Sequence, residues 1–92
     1  MGGMRAADHV RVLKALGRRV GELRRARGLT QEQFAEAIDV SVRYVQFVEA
    51  GSENLTVETI VKLANALRVS VLDLFGQPTK PKPGPGRPKK SA

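Results

Sequence analysis

The stretch Leu29–Gly51, LTQEQFAEAIDVSVRYVQFVEAG, leaves few ways to fold, because it starts, turns and stops two short helices in quick succession. Thr30 is placed to cap the first helix, its hydroxyl accepting from an otherwise unpaired backbone N–H of the first turn. Gln33, three residues on, completes a capping-box pattern, and Leu29 and Phe34 flank the cap as a hydrophobic staple. Phe34, Ala35 and Ile38 then fall on one apolar face at helical spacing. Asp39 lies at the turn and is expected at positive φ, a region Asp tolerates better than most residues and less well than Gly. Ser41 caps the second helix, with Val40 and Val45 as its staple. Val45, Val48 and part of Tyr44 are expected to point inward, and Gly51 supplies the stop.

The combination of Leu29-Thr30-Gln31, Phe34-Ala35, Val40-Ser41, Val45, Val48-Glu49 and Gly51 resembles the helix-turn-helix of the Cro/phage-repressor (XRE-like) regulators, over residues 10 to 76. The resemblance implies an all-α, compact five-helix, lambda-repressor-like DNA-binding domain. In such domains the second motif helix lies in the major groove and the first crosses the backbone. Carried onto this chain, the resemblance puts Gln31 on phosphate and Val42, Arg43 and Phe47 toward base edges, with Ser41, Tyr44 and Gln46 beside them. It pairs Glu49 with Arg24 as an internal ion pair. Two departures stand out. The turn holds Asp39 where the family often has Gly, and the groove-facing set is unusually apolar, Arg43 and Gln46 being its only long polar members. Arg43 suits guanine, and Val42 or Phe47 suits a thymine methyl.

Charge is informative once divided. The net +7 of the 92 residues splits into +6 over residues 1–28, −4 over 29–76 and +5 over 77–92. The positive charge therefore sits at the two ends, so attraction to phosphate should come mainly from the first helix and the tail. With no cysteine there is no disulfide, thiolate metal site or thiol nucleophile, which fits a reducing cytoplasm; the DNA-binding reading implies nucleoid association there. No apolar run approaches the ~20 residues of a membrane span, and no signal peptide is visible. One small domain is expected, at residues 8–76 with the motif at 30–51, between a disordered N-terminus (1–7) and a flexible tail (77–92).

Ahead of the motif, Asp8 is placed to cap a helix running to about Arg27, with Val12 or Leu13, Leu16, Val20 and Leu23 as its buried stripe. Arg18, Arg19 and Arg25 line the other faces. Gly17 and Gly21 cost helix stability, ~1 kcal/mol each relative to Ala, and suit a close helix approach. Gly28 ends this helix. The lone His9 is read as a solvated side chain. Beyond the motif, Thr56 caps a helix from Val57 to about Leu67, with Val57, Ile60, Val61, Leu63, Ala64 and Leu67 directed to the core. Ser70 and Asp73 form a cap pair for a last short helix, Val71 to Phe75. Val69, Val71, Leu74 and Phe75 offer more apolar surface than one short helix needs. In the resembling family this end often forms a two-fold dimer contact, so these four residues are the candidate homodimer interface, shared with the monomer core.

All five prolines lie in the last sixteen residues, QPTKPKPGPGRPKKSA, where an extended, disordered basic arm is expected. Gly86-Arg87-Pro88-Lys89-Lys90 resembles an AT-hook in part. Pro85 stands where the usual pattern has Arg. The resemblance implies that Arg87 is drawn into the minor groove of A·T tracts, and Arg87, Lys89 and Lys90 are expected to add phosphate or minor-groove contacts; a solubilising or partner-docking tail is the other reading.

The residues present no Ser/His/acid set, no Gly-rich phosphate loop between strand and helix, and no metal cluster, so neither catalysis nor a cofactor is expected. Two function classes remain. One is a sequence-specific transcription regulator that binds double-stranded DNA as a homodimer. The other is a protein-interaction module, such as an antitoxin or scaffold component, that uses Val42, Tyr44 and Phe47 on a protein partner, since exposed aromatics and Arg are enriched at such interfaces.

Overall fold

The computed structural model describes residues 8–76, in which five helices follow one another: α1 (Asp8–Ala26), α2 (Gln31–Ala37), α3 (Val42–Ala50), α4 (Val57–Leu67) and α5 (Val71–Leu74). The starts of the last four obey one rule. Thr30, Ser41, Thr56 and Ser70 are all extended and each accepts from the backbone N–H three residues on. At Thr30 and Ser70 the box is reciprocal, closed by Gln33 and Asp73.

The helix ends share a rule as well. After each of α1 to α4 one residue adopts the left-handed conformation: Gly28, Asp39, Gly51 and Arg68. The next residue's N–H then reaches back five positions, Leu29 to Arg24, Val40 to Ala35, Ser52 to Phe47 and Val69 to Ala64. This is the Schellman ending, which satisfies carbonyls that the helix leaves unpaired. Leu29, Val40 and Val69 carry the chain back onto the core, where all three are half-buried.

One core forms from every helix: Leu16 and Val20 of α1, Phe34 and Ala35 of α2 with Ile38 after it, Val45 and Val48 of α3, Leu63, Ala64 and Leu67 of α4, and Leu74 of α5. The helix α1 packs on α3, and α2 packs on α3 as the other side of the motif. Gly17 permits the first contact. A Cβ there would overlap the carbonyl oxygen of Val48 and stand 2.7 Å from that of Glu49. Gly21 is less crowded, its nearest neighbours being side-chain atoms of Glu49 and Arg25 at 3.2 and 3.3 Å.

Several expectations are corrected by the packing. Val57, the first residue of α4 after the Thr56 cap, is 75% exposed, and Val61, one turn on along the same face, is 41% exposed, which leaves the core to Leu63, Ala64 and Leu67. On α1 the expectation of Val12 or Leu13 is met by Leu13, which is half-buried and extends the stripe, while Val12 is exposed. Arg19 is more than a solvated charge, since its Nε donates to the carbonyl of Asp73 at 2.9 Å and ties α1 to α5. Leu74 is 0% exposed and is consumed by the monomer core, so it is not available to a dimer surface. Residues 1–7 and 77–92 lie outside the described residues, and with them the expectations for Arg87, Lys89 and Lys90.

Candidate nucleic-acid interface

The helix α3 is anchored by one face. Val45 and Val48 are buried, whereas Ser41, Arg43, Gln46 and Phe47 are exposed and Val42 and Tyr44 half-buried. The periodicity explains the split: positions 45 and 48 are three apart and stack on one side, while 43, 46 and 47 fall on the other. The predicted reading set is therefore brought together on one solvent-facing surface. Ser41 is spent on the cap, its Oγ accepting from Tyr44 N at 3.0 Å.

Two members of the set touch. The guanidinium carbon of Arg43 lies 5.3 Å from the centroid of the Phe47 ring, one helical turn on. A cation held over an aromatic face at an exposed site is worth about 0.5–1 kcal/mol. It also keeps a long side chain from sampling all its rotamers. Phe47 is 40% exposed, so much of its surface is free for a ligand.

Behind α3 a polar cluster fixes the motif to α1. Arg24 donates from Nε to Glu49 Oε2 at 2.6 Å and from Nη2 to Oε1 at 3.2 Å, a fork-on-fork pair, and from Nη1 to the carbonyl of Leu29 at 2.7 Å. Both side chains are about nine-tenths buried. Gln31, the first residue of α2, donates from Nε2 to Glu49 Oε1 at 3.1 Å. The side chain carried over to phosphate thus has an internal partner, and one carboxylate holds α1, α2 and α3 together. Nothing in the spacing of Gln31 signalled this contact, since it depends on how α2 crosses α3.

The basic residues of α1 divide. Arg24 is internal and Arg19 is tied to α5. Lys14, Arg18 and Arg25 line a cleft of about 350 Å³ beside Gly17, Gly21 and the last residues of α3. Their charge therefore stands at the C-terminal end of α3, away from Ser41. On α5 Leu72 is 82% exposed and Val71 and Phe75 are exposed beside it. Leu72 was not picked out by the sequence, because a four-residue helix is too short to set a reliable apolar face.

A compact all-helical domain that braces one short helix from behind and leaves its outer face open is the architecture of a helix-turn-helix DNA-binding regulator of transcription. The chain belongs to the helix-turn-helix family, whose pattern matches residues 20–74. It is 41% identical over 61 residues to an uncharacterized HTH-type transcriptional regulator, y4dJ, of Sinorhizobium fredii, a match spanning 66% of this chain and 79% of that protein. Among solved structures it is similar to the restriction-modification controller protein C.AhdI from Aeromonas hydrophila, with 41% identity, a TM-score of 0.70, and coverage of 74% of this chain and 99% of that one. It is also similar to the clp gene regulator ClgR from Corynebacterium glutamicum, with 31% identity, a TM-score of 0.68, and coverage of 70% and 82%. The five-helix fold and the DNA-binding regulatory function expected from the motif agree with these relatives. Among the described residues no helix is long and apolar enough to cross a membrane.

Proposed function

We propose that α3 enters the major groove of a specific operator, with Arg43, Gln46, Phe47 and Val42 facing base edges and Ser41 and Tyr44 beside them. The observation that carries this is the division of α3 into a buried Val45/Val48 face and an open Arg43/Gln46/Phe47 face. Gln31 would meet phosphate from the start of α2 while Glu49 orients its amide. Arg87, Lys89 and Lys90 of the basic tail would add phosphate or minor-groove contacts and raise affinity through effective concentration. Leu72, Val71 and Phe75, with half-buried Val69, would join two copies, setting two α3 helices about one DNA turn, ~34 Å, apart on a palindromic site.

The alternative, a protein-interaction module, draws on the same open face and on the acidic balance of residues 29–76. Selection of genomic DNA fragments by the full chain, repeated with Arg43→Ala, separates the two. The regulator reading expects an enriched palindrome and a loss of ~1–3 kcal/mol in affinity for it on substitution, with specificity relaxed at one base position. A flat fragment distribution, unchanged by the substitution, would reject it in favour of the partner.

A further inference from the structure

From the contact between Arg43 and Phe47 we propose that the two side chains act as one reader of a guanine flanked by a 5-methylpyrimidine, thymine in ordinary DNA, with Phe47 both holding the guanidinium and packing on the methyl. The proposal rests on the reading of α3 as the base-reading helix and goes beyond it by naming what the helix reads.

The argument starts from the guanidinium. A long Arg side chain at an exposed helical position ordinarily samples many rotamers, but here its head lies 5.3 Å over a ring one turn away on the same helix. The ring offers the guanidinium no hydrogen-bond acceptor atom, so the N–H donors of Arg43 stay available. The N–H fork matches the O6 and N7 acceptors of guanine, the commonest specific contact in the major groove. Arg43 therefore presents an oriented fork, where an unsupported arginine would present a mobile charge.

The second half concerns what lies beside the fork. Phe47 is 40% exposed, and Val42 is half-buried on the preceding turn. Neither donates nor accepts a side-chain hydrogen bond, so a polar base edge against them would lose water without compensation. The major-groove edges of the base pairs carry one apolar group, the C5 methyl of thymine. A ring already in contact with the guanine-reading fork is positioned to meet a methyl on the neighbouring pair. Cytosine methylated at C5 presents the same group in the same place, so methylation of the site is an alternative source of the contact.

The test uses the full chain and the duplex it selects from a randomised pool. Within that duplex, the thymine next to the recognised guanine is replaced by deoxyuridine, by cytosine or by 5-methylcytosine (with guanine opposite the last two). Separately, the guanine is replaced by 7-deazaguanine. Binding is measured for the wild type, Phe47→Ala and Arg43→Ala. For the wild type, deoxyuridine is expected to weaken binding about fourfold, the worth of one buried methyl, and 5-methylcytosine to bind more tightly than cytosine by a similar factor. With Phe47→Ala both methyl effects should vanish and the penalty for 7-deazaguanine should shrink, because the fork is no longer held. Unchanged helical circular dichroism and a cooperative thermal melt for Phe47→Ala separate lost reading from lost folding. Thymine and deoxyuridine bound equally by the wild type, or a methyl effect undiminished in Phe47→Ala, would overturn the proposal while leaving α3 as the reading helix. If selection enriches no sequence at all, the reading helix itself fails and the proposal falls with it.

Discussion

Arg24 and Glu49 face each other across α1 and α3 as a two-bond ion pair, nine-tenths buried, with Nε 2.6 Å from Oε2. The pair belongs to the positioning of the motif, since Gln31 and the carbonyl of Leu29 share its two partners. A buried pair is weak evidence of net stabilisation, but removing one member strands the other.

Glu49→Ala should therefore destabilise the domain by about 2–4 kcal/mol, somewhat eased because Arg24 keeps its bond to Leu29. Chemical denaturation measures it. A change below about 0.5 kcal/mol would mean that the pair exchanges freely with solvent.

The two glycines of α1 should respond differently to the same substitution. Gly17→Ala gains helix propensity of ~1 kcal/mol but drives a Cβ into two fixed backbone carbonyls of α3. Such overpacking costs ~1–3 kcal/mol or more, and the clash is with backbone, so a net loss is expected. Gly21→Ala meets only the ends of Glu49 and Arg25, and its net change should stay within about 1 kcal/mol. Thermal melts of both variants decide the point, which fails if Gly17→Ala is the more stable of the two.

Arg68 closes α4 at φ +59, where a side chain is strained. Arg68→Gly should remove ~1 kcal/mol of strain and give back part of that in unfolded-chain entropy, leaving a small net stabilisation. Gly51→Ala should do the reverse and more. It has φ +76, and a Cβ there would lie 2.7 Å from the Cα of Lys14. A raised melting temperature for the second variant would contradict the packing of α1 on the end of α3.

Leu72 tests self-association. At 82% exposure its replacement by Glu should leave the stability of the isolated fold within about 0.5 kcal/mol. If two copies meet at α5, the same change should shift sedimentation from dimer toward monomer and weaken operator binding. An unaltered sedimentation profile in a chain that is dimeric beforehand would move the interface elsewhere.

Salt dependence tests the tail. Replacing Arg87, Lys89 and Lys90 together by Ala in the full chain should flatten the slope of log affinity against log salt by about 2–3, if all three reach phosphate. An unchanged slope would assign the tail another purpose.

Much of the fold is written locally. Thr30, Ser41, Thr56 and Ser70 each announce a helix start through a hydroxyl and its spacing, and Gly28 and Gly51 announce two ends, because capping involves only a few neighbouring residues. Asp39 at positive φ was legible too, because it stands at the turn between α2 and α3 and Asp tolerates that region better than most residues. Arg68 was not. Nothing in its own chemistry favours the left-handed region, and only the return of Val69 to the core selects it. The same limit explains Val57 and Leu72. Each is apolar and sits at helical spacing, yet exposure depends on which neighbours arrive from elsewhere in the chain.

The sequence by itself determined the number of helices, where each begins, and which helix carries Arg43, Gln46 and Phe47 outward, because these follow from caps and from a 3.6-residue period. Tertiary structure decided the rest: that the Glu49 carboxylate, paired with Arg24 as the resemblance implied, would also hold Gln31, that Arg19 would reach α5, that Leu74 would vanish into the core while Leu72 stayed out, and that Gly17 would seat the end of α3. These are long-range contacts between helices, and no local pattern fixes the angle at which two helices cross.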